Sequence, residues 1–218
     1  MVSVPAPPRP GLAAIRMIIY DCDGVLIDSR RANAAFYHHI LKKFALGPLT
    51  PGQLDFVQTS TANEAIDFLF DGHPRRAEAQ DYQRRVDNRP FLSLLRLEPH
   101  IREVLTALRP LYQTAVATNR GKSLPLVLKE LGLEGLFDLT VSSYDVEKPK
   151  PHPECLRKIL EHFQLEPEEA MYIGDAAVDL EVSRRAGVIF AAYKNKDLAA
   201  DYHLQDHRHL LEILPGPF

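Results

Sequence analysis

Short apolar runs alternate along this chain with stripes of apolar residues at helical spacing, and this alternation limits the possible folds most strongly. Apolar side chains recur at positions i, i+3, i+4 and i+7 within residues 101–108, 124–131 and 156–163. Parallel strands joined by such helices imply right-handed crossovers and a sheet that helices cover on both faces. The sequence therefore predicts an α/β fold. The expected strands are residues 14–20, 113–118, 137–142, 170–174 and 188–193, with a weaker edge strand near 201–204.

Length and composition are those of an ordinary soluble globular protein. The 218 residues can bury a substantial core, as one domain or as one domain with a smaller insert. A formal charge of −3 with 45% hydrophobic residues argues against a long acidic tail or a nucleic-acid-binding surface. No run approaches the roughly 18 apolar residues of a membrane span. The Pro-rich residues 1–12 lack the layout of a signal peptide, so a flexible N-terminal extension is expected.

The apolar pattern changes between residues 29 and 98. These 70 residues show helical periodicity and no convincing strand. Helices are expected around residues 36–44 and 65–70 and within the charged stretch 75–86. Because the segment leaves and re-enters the core close to the end of the first strand, hinges near Asp28 and Glu98 are expected to open and close it over a site there.

Two aspartates, Asp21 and Asp23, stand one residue apart at the end of the first apolar run. Side chains i and i+2 of an extended backbone point to the same side, so these carboxylates are expected to face one point while Cys22 turns away. Two carboxylates so placed favour a divalent cation. An aspartate followed by a glycine after a strand is also ordinary turn chemistry, and for this pair alone both interpretations stay open.

Further polar groups follow later strand-like runs, where an open parallel sheet places its ligand crevice. Taken singly, each is also compatible with a turn or a helix cap. These groups are Thr118-Asn119, Lys150, and Gly174-Asp175 with Asp179. In this order, after Asp21 and Asp23, the set resembles the four motifs of the haloacid dehalogenase superfamily. The closest resemblance is to its small-molecule phosphatases of the phosphoglycolate phosphatase type.

This resemblance implies a three-layer, Rossmann-like core around a parallel sheet with strand order 3-2-1-4-5. It also implies a small all-helical cap domain that is inserted after the first motif. The core would comprise residues 13–28 and 99–218, and the cap would comprise residues 29–98.

The resemblance also implies a mechanism of phosphate ester hydrolysis. Asp21 would attack the substrate phosphorus and form an aspartyl-phosphate. Asp23 would protonate the leaving oxygen and later take a proton from water. Thr118 and Asn119 would help to bind the phosphoryl oxygens, and Lys150 would neutralise the nucleophile and the transferred phosphate. An aspartate at position 23 favours phosphate esters over carbon–halogen or carbon–phosphorus bonds.

Magnesium is the implied cofactor, because the ligands are hard oxygens and a dianionic phosphate must approach several carboxylates. By the resemblance, the ligands are the Asp21 carboxylate, the backbone carbonyl of Asp23 and the Asp175 carboxylate. Asp179 would act from outside these ligands or through a bound water.

The lysine of the motif is ambiguous, because Lys148 and Lys150 both precede a proline. Lys150 is preferred, since Lys-Pro-His-Pro is the fuller resemblance and a distance of 25 residues to Asp175 resembles the family spacing. Lys148 is then expected to be a surface charge.

Substrate contacts outside the motifs are less determined. Arg120 is expected either to reach the phosphate or to lie in solvent, and solvent is the favoured alternative. Arg30, Asn33 and the Thr59-Ser60-Thr61 cluster are candidates to line the substrate pocket, although solvated helix ends are the favoured explanation for them. Residues 29–98 carry ten Lys and Arg against eight Asp and Glu, and this positive balance favours anionic phosphorylated metabolites by steering.

Three functions are compatible with these residues. The leading one is a Mg²⁺-dependent phosphatase acting on a small-molecule phosphate ester such as phosphoglycolate or a sugar phosphate. A phosphomutase resembling beta-phosphoglucomutase would typically carry Glu-Asp in place of Gly174-Asp175, which favours hydrolysis. A non-catalytic, receiver-like phospho-switch is disfavoured by the 70-residue insert and by Asp23.

We expect no nucleic-acid or membrane partner and a monomer or homodimer. The two cysteines, which lack metal or redox spacing, favour the cytoplasm.

Overall fold

A computed structural model describes residues 11–217 of the chain. The strands are β1 (Met17–Tyr20), β2 (Ile27–Asp28), β3 (Arg96–Leu97), β4 (Gln113–Ala117), β5 (Leu139–Val141), β6 (Ala170–Gly174), β7 (Ile189–Tyr193) and β8 (Tyr202–Leu204). The helices are α1 (Arg30–Lys43), α2 (Pro51–Thr59), α3 (Ala62–Leu69), α4 (Arg76–Arg85), α5 (Arg89–Leu92), α6 (Ile101–Leu108), α7 (Leu124–Glu130), α8 (Glu154–Phe163), α9 (Ala177–Ala186) and α10 (His209–Ile213).

The N-terminal prediction can be compared with the structure only at its end. Residues 1–10 of the expected extension lie outside the described residues, and a short 3₁₀ turn covers Leu12–Ala14. The first strand was therefore predicted to begin too early, since β1 starts at Met17. None of the helices within residues 11–217 combines the length and the hydrophobicity that a membrane span requires.

Six strands form one parallel sheet in the order β5-β4-β1-β6-β7-β8. β1 lies between β4 and β6, and its last residue, Tyr20, is in register with Val116 and Ile173. The predicted order 3-2-1-4-5 is confirmed, and the predicted weak edge strand is β8, paired with β7. Because all six strands run parallel, their carboxyl ends meet at one edge of the sheet.

The sheet is buried on both faces, as the strand composition predicts. Along β1, Met17 and Ile19 belong to an apolar cluster with α8 and α9, whereas Ile18 and Tyr20 belong to a second cluster with α6, α7 and α10. A strand that is buried on both sides needs apolar residues at every position rather than at alternate ones. The helices that the three apolar stripes predicted are α6, α7 and α8, and they complete a three-layer α/β core.

Residues 29–98 contain α1 to α5, and side chains of α1 to α4 form an apolar cluster of their own around Ile40, Phe44, Ile66 and Phe70. The apolar and charge patterns predicted α1, α3 and α4 but gave no indication of α2 and α5. The start of α2 carries a recognisable signal, because Thr50 and Gln53 form a capping box with hydrogen bonds of 3.3 and 2.9 Å. The proline in its first turn, Pro51, is also favoured there.

The expectation that residues 29–98 contain no strand is wrong at their C-terminal end. Ile27 and Asp28 of β2 pair antiparallel with Leu97 and Arg96 of β3. Two residues per strand are too few to show a period of two, so no pattern could indicate them. This ribbon joins the points where the segment leaves and re-enters the core, close to the two predicted hinges.

Candidate active site

Three neighbouring strands place a polar residue at the same edge of the sheet. Asp21 follows β1, Thr118 follows β4, and Asp175 follows β6. Lys150 reaches the same point from the loop between β5 and α8. All four side chains, with Asp23 and Asp179, line one cavity, so the structure brings the sequence-predicted motif residues together.

Lys150 lies at the centre of this site and is only 4% exposed. Its Nζ donates hydrogen bonds to Asp21 Oδ1 at 2.8 Å, to Asp179 Oδ1 at 2.7 Å and to the hydroxyl of Tyr172 at 2.9 Å. Burial alone would lower the pKa of Lys150, but the two carboxylates raise it above its ordinary value, so the side chain stays a cation. Lys148 is exposed, and its side chain makes none of these contacts.

Asn119 holds the backbone of Lys150 in place. Its Oδ1 accepts a hydrogen bond from the Lys150 N–H at 3.0 Å, and its Nδ2 donates to the Lys150 carbonyl at 3.2 Å and to the Thr59 carbonyl at 3.0 Å. Both polar atoms of the Asn119 side chain therefore bond to protein groups. Asn119 lines the cavity, but its geometry indicates that it positions Lys150 and contacts the end of α2.

The carboxylates of Asp21, Asp175 and Asp179 each offer an oxygen within 4.8 Å of the others. Burial raises the pKa of Asp21 to about 7, against the opposing effect of Lys150. Burial, together with the charges of Asp179 and Asp21, raises the pKa of Asp175 to about 8. Three carboxylates thus face one ammonium group, and the uncompensated negative charge on hard oxygen donors fits a divalent cation such as Mg²⁺.

Asp179 bonds to protein donors through both carboxylate oxygens. Oδ1 accepts from Lys150 and, at 2.9 Å, from the hydroxyl of Tyr172, while Oδ2 accepts from the backbone N–H groups of Asp175 and Ala176 at 3.2 and 3.1 Å. These contacts fix the loop that carries Asp175. The geometry therefore favours Asp179 as a support for Asp175 and Lys150, with Asp21 and Asp175 closer to the role of metal ligands.

Two glycines allow the loops of the site to approach each other. A Cβ on Gly24, which has a φ of +84°, would lie 2.2 Å from Oδ2 of Asp175. A Cβ on Gly174 would lie 2.3 Å from the Cβ of Asp179. No other residue fits at either position without displacing a carboxylate, which includes the glutamate of the mutase pattern at position 174.

The expectation that Arg120 lies in solvent is wrong. Its side chain is 11% exposed and forms a two-point ion pair with Asp23, in which Nε donates to Oδ2 at 2.9 Å and a terminal guanidinium nitrogen donates to Oδ1. Burial alone would raise the pKa of Asp23, but Arg120 brings it below its ordinary value. Asp23 is therefore ionised in this arrangement. The position of Arg120, just beyond the end of β4 and beside β1, was the available signal in the sequence.

The cavity lies between the core and residues 29–98 and is open to solvent; the space free of protein atoms in it, with the solvent at its mouth, is about 1010 Å³. Asn33 lines it and donates a hydrogen bond to Gln58 Oε1 at 3.1 Å. Arg30 is not among the lining residues. Its half-exposed guanidinium pairs instead with Asp55 at 2.6 Å. Of the other candidates in the insert, Thr59 and Ser60 also line the cavity and Thr61 does not.

We expect Lys150→Met to lower the free energy of unfolding of the metal-free protein by about 3 to 5 kcal/mol. The reason is that Asp21 and Asp179 would lose their shared buried cation. Lys148→Met is the matched control and should change stability by less than about 0.5 kcal/mol. Urea denaturation measures both variants. Equal effects of the two substitutions would contradict the placement of Lys150 among the carboxylates.

Comparisons with known proteins agree with this geometry. The sequence profile of a family described as haloacid dehalogenase-like hydrolase matches residues 18–193. A phosphoglycolate phosphatase from Aquifex aeolicus is 29% identical over 175 residues, which cover 79% of this chain and 82% of that protein. A phosphorylated carbohydrates phosphatase from Thermotoga maritima is 26% identical over 176 residues, which cover 78% of this chain and 81% of that protein. A crystal structure from Geobacter sulfurreducens, described as a hydrolase of the HAD superfamily, subfamily IA, variant 1, superposes with a TM-score of 0.76 and 36% identity, over 94% of this chain and 99% of that one.

Proposed function

This chain belongs to the haloacid dehalogenase-like hydrolases, and we propose that it is a Mg²⁺-dependent phosphatase that hydrolyses a small phosphomonoester through a phosphoryl group carried on Asp21. The observation that supports this most directly is the meeting of Asp21, Lys150 and Asp175 at the carboxyl ends of neighbouring strands. The similar proteins named as phosphatases of phosphoglycolate and of phosphorylated carbohydrates support the same reaction class.

In the first step, a carboxylate oxygen of Asp21 attacks the phosphorus, and the bond from phosphorus to the alcohol oxygen breaks. Lys150 binds Asp21 Oδ1 and favours the ionised carboxylate, which leaves the other oxygen to attack. Thr118, buried just after β4, lines the same cavity, and its hydroxyl would bind a phosphoryl oxygen. These residues orient the nucleophile and the phosphoryl group before reaction.

Asp23 would carry out the proton transfers of both steps. The leaving alcohol needs a proton, and the water that later attacks the aspartyl-phosphate must lose one. In this structure Arg120 keeps Asp23 ionised, as a base must be, but it also lowers the pKa of Asp23 and bonds to both of its carboxylate oxygens. Both proton transfers therefore require that the Asp23–Arg120 pair opens.

The metal site would be formed by the carboxylates of Asp21 and Asp175 and by the backbone carbonyl of Asp23. Bound Mg²⁺ supplies the positive charge that lets a dianionic phosphate approach several carboxylates. Asp179 and Lys150 hold the two ligating carboxylates in position from the protein side.

We expect the unfolding midpoint of the metal-free protein to fall as pH rises from about 5 to about 8. Asp21 and Asp175 have folded pKa values of about 7 and about 8 against an ordinary 3.8, so the folded state binds more protons in this window and loses stability as they leave. Mg²⁺ should restore the midpoint at pH 8. Thermal denaturation with and without Mg²⁺ measures both effects.

Asp175→Asn should reduce both the pH dependence and the response to Mg²⁺. Asp55→Asn, at an exposed position next to Arg30, is the control and should change neither. A midpoint that is independent of pH in the metal-free wild type, or a full Mg²⁺ response in Asp175→Asn, would contradict the metal site.

The direct test of function is phosphate release from p-nitrophenyl phosphate in the presence of Mg²⁺. We expect phosphate release above background. Chelation of the metal should abolish this release, and addition of Mg²⁺ should restore it. Interconversion of phosphosugars with a bisphosphate primer and without net phosphate release would instead indicate a mutase. A phosphoprotein that persists for minutes and changes partner binding would indicate a switch.

Residues 29–98 form the cap domain of this proposal, and residues 13–28 and 99–218 form its catalytic core. The separate apolar cluster of α1 to α4 and the β2–β3 ribbon at its base support movement about the chain near Asp28 and Glu98.

We also propose the cytoplasm as the location of the protein, because Cys22 and Cys155 are unpaired.

A further inference from the structure

The cap side of the cavity carries no charge. Residues 29–98 contain ten Lys and Arg and eight Asp and Glu, and none of these eighteen side chains is among the cavity-lining residues of the described chain. Several form ion pairs on the outer surface, namely Arg30 with Asp55, Arg75 with Glu78, Arg84 with Asp81, and Arg89 with Asp87. The positive balance of the cap therefore does not provide a cationic subsite inside the cavity.

Amide side chains and aromatic rings line the cap side of the cavity instead. The rings of Phe36 and Phe91 meet edge to face with centroids 5.6 Å apart. The amide side chains on the same side of the cavity are Asn33, Gln58, Gln83 and Asn88. Such a surface offers hydrogen bonds and apolar contact to a ligand but no charge.

Gln83 has a buried hydrogen-bond acceptor without a partner. The residue is 4% exposed, and its Oε1 has no hydrogen-bond partner within the described part of the chain. By contrast, Gln58 Oε1 accepts from Asn33, and Gln58 Nε2 donates to Ser29 at 2.8 Å. Gln83 lines the cavity. A buried acceptor without a donor is unfavourable, so the side chain gains a hydrogen bond if it turns Oε1 toward an O–H or N–H group of a ligand there.

Both largely buried cations on the core side of the cavity are already engaged. Lys150 binds Asp21 and Asp179, and Arg120 binds Asp23. The third lining cation, Lys122, donates to a backbone carbonyl of the cap and is exposed, so solvent screens its charge. A carboxylate on the leaving group would therefore find no buried cation among the described lining residues that is free to pair with it.

On the basis of the proposed phosphatase function, we infer that the substrate is the phosphate ester of an uncharged, hydroxyl-bearing alcohol such as a sugar or polyol. One hydroxyl of this alcohol donates a hydrogen bond to Gln83 Oε1, and its carbon skeleton packs against Phe36 and Phe91. Esters whose alcohol carries a carboxylate, including phosphoglycolate, are disfavoured.

Two pairs of esters that differ only in a CH₂OH group against a carboxylate test this inference. They are sorbitol 6-phosphate with 6-phosphogluconate, and glycerol 3-phosphate with 3-phosphoglycerate. We expect wild-type kcat/KM to favour the neutral member of at least one pair by about tenfold or more, as expected for a site that leaves a buried charge unpaired. Equal or faster hydrolysis of the carboxylated member in both pairs, or a preference for phosphoglycolate over both neutral esters, would overturn the inference.

Substitutions on α4 test the role of Gln83. Gln83→Leu should lower kcat/KM for the preferred neutral ester about tenfold, because one hydrogen bond to the alcohol is lost. Gln80→Leu is the matched control, since Gln80 Oε1 is also buried without a partner among the described residues but does not line the cavity. It should leave the preference unchanged. An equal effect of the two variants would overturn the assignment of Gln83.

The wild-type comparison needs no variant and stays decisive if Gln83→Leu does not fold. Hydrolysis of p-nitrophenyl phosphate distinguishes failure of the substrate inference from failure of the proposed phosphatase function. If the wild type hydrolyses it with Mg²⁺ but shows no preference for neutral esters, the inference fails and the phosphatase function stands. If the wild type does not hydrolyse it, the proposed function itself fails.

Discussion

Asp21→Asn is expected to lower kcat for phosphate ester hydrolysis by at least about four orders of magnitude. An amide cannot act as the nucleophile, so no aspartyl-phosphate can form at this position. The fold should tolerate the change, because Lys150 keeps its hydrogen bonds to Asp179 and Tyr172. The raised pKa of Asp21, about 7, also means that its charge is unfavourable in the metal-free fold, so the variant should be at least as stable as the wild type.

Steady-state phosphate release and thermal denaturation on the same preparation measure both parts of this prediction. Asp55→Asn, which changes an aspartate on the outer surface of the cap, should retain wild-type kcat. A kcat for Asp21→Asn within tenfold of the wild type would exclude Asp21 as the nucleophile. Loss of activity together with loss of the fold would point to a structural role instead.

Asp23→Asn is expected to slow turnover by about two to four orders of magnitude, as the removal of general acid–base catalysis does. The two half-reactions should be affected differently. p-Nitrophenolate leaves without prior protonation, so formation of the aspartyl-phosphate from this substrate should be slowed less than its hydrolysis. Alkyl phosphates, whose leaving groups need a proton, should be slowed in both steps.

Rapid mixing of Asp23→Asn with p-nitrophenyl phosphate should therefore give a burst of nitrophenol close to one equivalent of enzyme, followed by slow turnover. Because the substitution also leaves Arg120 without its carboxylate partner, the assays must be made well below the unfolding midpoint of the variant. A loss of less than tenfold on alkyl phosphates would assign the proton transfers to another group.

The layers of the core were predictable because each strand and helix has its own periodic pattern. β1 is apolar at all four positions and is buried on both faces, which is what a central parallel strand requires. Residues 101–108 carry their apolar side chains on one stripe and form α6 as expected. β2 and β3 have two residues each, and an element of that length has no period to detect.

The motif residues were predictable as a group because the carboxyl ends of parallel strands converge. Asp21, Thr118 and Asp175 each come directly after the last residue of a strand, so the order of the strands decides that they meet. The order of the strands does not determine where a long side chain ends. Whether Arg120 turns to solvent or to Asp23, and whether Lys148 or Lys150 reaches the carboxylates, depends on the path of loops that have no periodic pattern.

The residues that line the cap side of the cavity were the least predictable from the sequence. Arg30 stands at the start of α1 near the site, yet it pairs outward with Asp55, whereas Gln83 on α4 lies in the cavity without any motif around it. The side of each cap helix that faces the core depends on how five short helices pack together. Local charge therefore indicates little about which cap residues meet the substrate.

The central claim is that the phosphoryl group passes through Asp21. The most direct measurement is to quench Asp23→Asn with acid during turnover of p-nitrophenyl phosphate, reduce the acyl phosphate with borohydride, and locate the product by peptide mass spectrometry. We predict that residue 21 is converted to homoserine, while unreacted enzyme treated in the same way keeps aspartate there. A reduced residue at Asp175 or Asp179, or continued turnover with the burst but without any reduced aspartate, would contradict the account.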